Sequence, residues 1–348
     1  NTPQLPLNVG GTSRTANYTS GSGNTPLVFQ YTIQAGDNDT NGISIGENAL
    51  ALNSGTIRDA AGNNATLTHS SVADNSSYKV DTTPPTVSGV AITSGTGMLN
   101  NFLNADDVVS VTATFRESVI VDNASGNNPA LTLVVGSNNQ AATYASGDNS
   151  TTLVFQYTIL AGDNDTNGIS IGENALDLNS GTISDPAGNN AILTHSAVSA
   201  NNSYMVDTTA PTVDNFTITD TKLLVGETMT VNLGFSEKVI EFIAADINLD
   251  NATGALPSMA SSDNRTWSGT FTPTADSEDA SNTLSLTTSS YTDPAGNAGP
   301  SAITSNYEVE TLAPSVSSIV ISSASGIQNN FLNEDDNVSV TATFSENV

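Results

Sequence analysis

The side chains best equipped for chemistry in this chain are carboxylates, and they recur at matching places. Asp81, Glu117 and Asp185 fall at three points of one stretch, and Asp207, Glu237 and Asp293 fall at the same three points of the next, although the two stretches otherwise share little sequence. Each set is scattered: one acid in a linker, one at the end of a short apolar segment and one in a D-P-A-G-N loop. Carboxylates delivered from separate segments, with main-chain carbonyls and water completing a shell of oxygens, suit a hard cation. For three such residues to meet, the chain must return repeatedly to one end of a small domain.

Other chemistry is poorly supplied. The two histidines, His69 and His195, occupy one repeated L-T-H-S position and read as strand residues rather than bases. Ser is abundant but has no G-x-S-x-G elbow, and no G-x-G-x-x-G or phosphate-binding loop follows a strand. Trp267, the only tryptophan, reads as core. Acids that recur with a repeat suit spacing or avidity better than a single active site, so no enzyme is expected.

Composition points the same way. With 35 Asp plus Glu against 7 Lys plus Arg, the formal net charge is −28, which repels phosphate backbones and anionic lipid. Nucleic acid is excluded as a partner and cations are favoured. No apolar run reaches 18 residues, so no membrane insertion is expected. Asn, Ser and Thr make up more than a third of the chain, which contains 3 Lys and 0 Cys. That reads as a secreted protein whose stability comes from something other than disulfides, bound metal being one candidate. The start at Asn1, without a basic and apolar leader, reads as a processed or excised piece.

The elements that must position the acids are legible as repeats. Residues 1–87 align without a gap on 127–213, with 61 of 87 positions identical, and 87–119 align likewise on 316–348. The expected organisation is a partial module of type A (1–84), a complete A module (85–210), a complete and different B module (211–313) and the first strands of a further A module (314–348). Asn1 is equivalent to Asn127 and Val348 to Val119. The end pieces therefore read either as a window on a longer array or as two parts that complete one another between chains. Segments such as 86–94, 108–115, 131–135, 141–146 and 151–159, and in the B module 213–219, 226–235, 267–272, 283–288 and 307–310, are β-branched or alternating and bounded by Gly, Asn and Asp. About seven strands per module predict an all-β chain of tandem immunoglobulin-like β-sandwiches in an elongated array.

At this point the chain resembles the bacterial immunoglobulin-like repeats of large calcium-binding surface adhesins. The resemblance is carried jointly by V-D-T-T-x-P-T-V (Val80–Val87, Val206–Val213), T-A-T-F-x-E-x-V (Thr112–Val119), A-G-D-N-D-T-N-G-I-S (Ala35–Ser44, Ala161–Ser170) and D-x-A-G-N (Asp59–Asn63, Asp185–Asn189, Asp293–Asn297). It implies an extracellular stalk or adhesive region on the cell surface, with Ca²⁺ at the joints between neighbouring repeats. Asp59 is the first copy's equivalent of Asp185. At the third junction Glu310 and Glu346 fill two of the three places, and the loop for the third is absent.

The opposite ends of the modules carry acids too. Asp106 and Asp107, with Asp335 and Asp336 in the last copy, lie in one loop; D-N-D-T-N-G begins at Asp37 and Asp163. Asp37, Asp39 and Asn41, like Asp163, Asp165 and Asn167, fill the first, third and fifth places of an EF-hand loop, but the twelfth is Asn174 with Glu173 one place early, and no helix follows. The same residues are ordinary turn formers. Glu117 could equally guard a sheet edge, and Arg116 could partly neutralise its joint. Besides a calcium-stiffened spacer, two other expectations stand: an extracellular filament joined through the split end modules, and a glycan-, ice- or host-protein-binding module, for which the B module is the place to look.

Overall fold

The computed structural model describes residues 2–122, 128–288 and 290–348; Asn1 and Asn127, the equivalent first positions of two copies, lie outside the described residues. The chain divides into two compact units, one of Asn1–Gly97 with Ala105–Val206, the other of Met98–Asn104 with Asp207–Val348. Both are built from mainly antiparallel sheets, and the only helical element among the described residues is one 3-10 turn, Ala244–Asp246. The expected all-β sandwich architecture is what the chain adopts.

In the first unit, strands β1 (Gln4–Val9), β2 (Thr12–Ser20) and β3 (Val28–Gln30) form one sheet. The complete repeat follows with β4 (Val87–Thr96), β5 (Val108–Asp122), β6 (Ala130–Val135), β7 (Asn138–Ser146), β8 (Ser150–Thr158), β9 (Ser170–Asp177) and β10 (Thr182–Ser184). They are ordered β9-β6-β7-β8-β5-β10, with β4 also paired to β5. Strand β5 organises the repeat. Its alternate residues Val109, Val111, Ala113 and Phe115 point inward and are at most 2% exposed. It pairs with β8 up to Thr114; the register then shifts before Val119, and Ile120–Asp122 pair with β10 instead. Such a bulge bends a strand from one sheet towards another. Glu117 sits in that bulge.

The second unit repeats the plan with β11 (Val213–Ile218), β12 (Lys222–Leu224), β13 (Met229–Phe235), β14 (Thr266–Pro273), β15 (Glu278–Asn282) and β16 (Tyr307–Glu310). Met229, Val231, Leu233 and Phe235 of β13 pack into a core with Phe271, Tyr291 and Tyr307. Strand β12 runs parallel to β16, placing Lys222 beside Glu308 and Glu310. The apolar segment 283–288, expected as a full strand, contributes only Ser285–Leu286 to a small sheet. Trp267 is half-buried and packs edge-on against Phe242, centroids 4.9 Å apart. The hairpin of β17 (Val316–Ser325) and β18 (Asn337–Phe344) ends the unit.

Candidate functional site

The fold gathers the six acids that the repeats singled out. Asp81, Glu117 and Asp185 form one group and Asp207, Glu237 and Asp293 another, each residue offering a carboxylate oxygen within 4.8 Å of the other two. The cause is local. Where β4 leaves the linker, Val87 pairs with Phe115 and Arg116 N–H donates to Thr86 O, so the linker runs beside the bulge that holds Glu117. Strand β10, paired to the far half of β5, ends one residue before Asp185. In the second unit Val213 pairs with Phe235 and Ser236 N–H donates to Thr212 O, so Asp207 and Glu237 are placed the same way. The Ile240–Thr292 bridge brings in Asp293.

Within each group one acid is fixed and two are looser. Asp185 is 1% exposed and Asp293 0%. Oδ1 of Asp185 accepts the Ala187 and Asn189 N–H groups at 2.9 Å each, and Oδ2 accepts Asn189 Nδ2 at 2.7 Å. Asp293 does the same with Ala295, at 2.8 Å, and with Asn297, at 2.9 and 2.8 Å. The asparagine closes the loop and also donates to the linker: Asn189 Nδ2 to Asp81 O at 3.1 Å, and Asn297 Nδ2 to Asp207 O at 3.0 Å. These asparagines position the site, a role the sequence reading did not assign. Their recurrence at the last place of D-x-A-G-N was the available signal.

None of the six acids forms an ion pair among the described residues. Like charges thus face one another at the edge of a low-dielectric core. Burial first, then the charges of Asp207 and Asp293, push Glu237 up to about 7. Glu117 is raised by the same causes, burial and then Asp81 and Asp185. Burial also raises Asp293, against the opposing effect of the Asn297 bonds. Carboxylates held together against their own repulsion fit a divalent cation, which would supply the missing positive charge. The main-chain and Asn donors leave Glu117 and Glu237 as the acids with least internal use for their oxygens.

The remaining expected ligands are placed otherwise. Asp59 keeps the same loop, accepting Ala61 and Asn63 N–H and Asn63 Nδ2, but it is exposed and joins no group of three carboxylates among the described residues. Those bonds, Asn63 Nδ2 foremost, lower its pKa. Glu310 pairs with Lys222 Nζ at 2.5 Å, and Glu346 has a buried oxygen without a hydrogen-bond partner among the described residues. Asp106 and Asp335 are turn residues at φ 73° and 69°; Asp336 accepts Asn333 N–H at 2.6 Å, and the Asp107 carboxylate packs against Gly97.

The D-N-D-T-N-G acids turn inward. Asp163 accepts the Tyr157 hydroxyl at 2.6 Å, Leu160 N–H at 3.0 Å and Gln140 Nε2 at 2.9 Å; Asp165 accepts N–H groups of Gly136, Asn167 and Gly168. In the first copy Asp37 takes Tyr31, Gln34 and Arg14, and Asp39 takes Gly10, Asn41 and Gly42. Their oxygens face protein donors, the geometry of a structural corner, and Asn41 and Asn167 supply backbone N–H groups to it. Gly10 and Gly136 are required there: a Cβ would lie 1.8 and 2.3 Å from the Asn38 and Asn164 carbonyl oxygens.

His195 lies in an extended loop, not a strand, and is structural: Nε2 accepts Ala175 N–H at 2.9 Å, while His195 N–H donates to the Asn174 side chain at 3.0 Å.

Residues 207–309 match the family model of a bacterial Ig-like domain. Among solved structures, FdeC, an Escherichia coli adhesin, covers 88% of this chain and 96% of its own at 12% identity and a TM-score of 0.33. A D1–D4 ectodomain fragment of ICAM-5 covers 74% and 75% at 11% identity and a TM-score of 0.24. No curated protein matches the chain.

Proposed function

We propose that this chain is a calcium-stiffened repeat segment of an extracellular surface protein, acting as a non-catalytic extender or adhesive spacer. The observation that carries the reading is the pair of three-carboxylate groups, built alike in two modules of dissimilar sequence and making no ion pair among the described residues, with the Arg265 charge only partly offsetting the repulsion at Glu237. Ca²⁺ would take Asp81, Glu117 and Asp185 in one and Asp207, Glu237 and Asp293 in the other, with carbonyls and water completing each shell. Each set ties a linker to two segments of one sandwich, so a bound ion would restrict the hinge. Extracellular calcium modules bind with Kd of about 10⁻⁴ to 10⁻³ M, and at ten times Kd each site contributes about 1.4 kcal/mol. That is small beside a fold but large for a hinge.

The test is small-angle scattering with thermal unfolding, in calcium and in chelator at fixed ionic strength. Calcium should raise Tm and lengthen the particle, and Asp81→Ala with Asp207→Ala should abolish both responses. Unchanged stiffness in that variant would refute the reading.

A further inference from the structure

The two D-P-A-G-N loops share their internal bonds but not their cover, and the difference lies in a short hairpin. Met98–Asn104 belongs to the second unit. Its Leu99–Phe102 tip is closed by reciprocal N–H to O bonds of 2.9 and 2.8 Å, with Asn100 and Asn101 at φ 50° and 68°. This is a two-residue turn of the kind that suits Asn. From it Asn100 Nδ2 donates to Pro294 O at 3.0 Å and Asn104 Nδ2 to Ala295 O at 3.4 Å. Leu99 lies over Gly296, its Cδ2 3.6 Å from where a Cβ would stand. Under this cover Ala295 is 4% exposed, whereas its equivalent Ala187 is exposed.

We propose that the Leu99–Asn104 hairpin is a recognition element for the D-P-A-G-N loop, and that by clamping residues 294–296 it strengthens cation binding at Asp207, Glu237 and Asp293. It rests, for the cation, on the reading given above. Asp293 is held through the Ala295 and Asn297 N–H groups; fixing the Pro294 carbonyl fixes the peptide plane that carries the Ala295 donor, and fixing the Ala295 carbonyl fixes the plane of Gly296 N–H, which closes the loop on Asp293 O at 3.1 Å. Contacts one step removed from a metal ligand typically change affinity 10- to 100-fold. The hairpin is preorganised: in the last copy Gln328–Phe331 forms the same turn, Asn329 and Asn330 at φ 51° and 63°, with Phe331 72% exposed. A shape held without a docked loop is not lost entropy on docking.

The test uses the whole chain carrying Asn100→Gly and Asn104→Ala, which remove both side-chain donors while glycine keeps the positive φ of the turn accessible at position 100. In the Asp81→Asn background, which isolates the second site, calorimetric titration with CaCl₂ should show affinity falling about 10-fold. In the Asp207→Asn background the first site should be unchanged. Amide hydrogen exchange at 293–297, measured in chelator, should become about 10-fold faster in the double variant. Unchanged exchange overturns the docking, and faster exchange with unchanged affinity overturns the coupling. Absence of any calcium heat from the unmodified chain would instead sink the cation reading, while the exchange data still decide the docking.

Discussion

The same five-residue loop stands in three settings, and the surroundings of its aspartate differ in each. At 59–63 the loop is exposed and the hydrogen bonds from Asn63 hold Asp59 below the usual carboxylate range. At 293–297 the loop makes the same bonds, yet burial turns the shift of Asp293 upward. At 185–189 the aspartate is equally buried but Pro186, Ala187 and Gly188 face solvent. The motif therefore specifies the loop, and its surroundings specify the electrostatics. A linker acid and a bulge glutamate turn a local turn into a charged group of three.

The comparison breaks most visibly if the loop's own bonds matter equally everywhere. Asp293→Ala leaves two buried N–H groups without an acceptor and should destabilise the second unit by about 3 kcal/mol, read by chemical denaturation in chelator. Asp59→Ala should leave the midpoint where it is. Next in size, Glu237→Gln removes a charge that the apo site repels. It should stabilise the calcium-free protein by about 1–2 kcal/mol, after discount for solvent screening, and abolish one calcium site. Glu117→Gln should act in the same direction and less strongly.

A pH scan sharpens the same point. Glu237 binds its proton more tightly in the folded state, so calcium-free stability falls as pH rises from about 4.5, its ordinary value, to about 7, and levels off above. Differential scanning calorimetry should show this slope for the second unit, flattened in Glu237→Gln and in saturating calcium. The smallest effects concern backbone alone. Gly188 and Gly296 both sit at φ 92°, so Gly→Ala at either should cost about 1 kcal/mol. A much larger loss at one would mean the loops are not equivalent in backbone.

Much of this was legible in the sequence for a physical reason: repetition. The alternating Val109, Val111 and Ala113 announce a strand with one buried face, and acids kept at three points in two otherwise dissimilar modules announce a shared end. What stayed hidden depends on side-chain direction. Asp163 and Asp165 have the composition of a ligand loop, but a turn uses the same residues, and only the positions of Tyr157, Gln140 and Gly136 show where their oxygens point. The apolar segment reads as a strand over 108–115 with Glu117 just past its end, whereas the strand runs on to Asp122 through the bulge that carries Glu117. Glu310 was read as a linker ligand, but the parallel strand β12 brings Lys222 to it, a pairing between residues far apart in the chain.

The most direct measurement is the number of calcium ions the unmodified chain binds, by isothermal titration at fixed ionic strength near pH 7.5. The account predicts two saturable sites, reduced to one by either Asp81→Asn or Asp207→Asn and to none by both. A featureless, salt-sensitive heat without stoichiometry, or two sites that survive both substitutions, would contradict it.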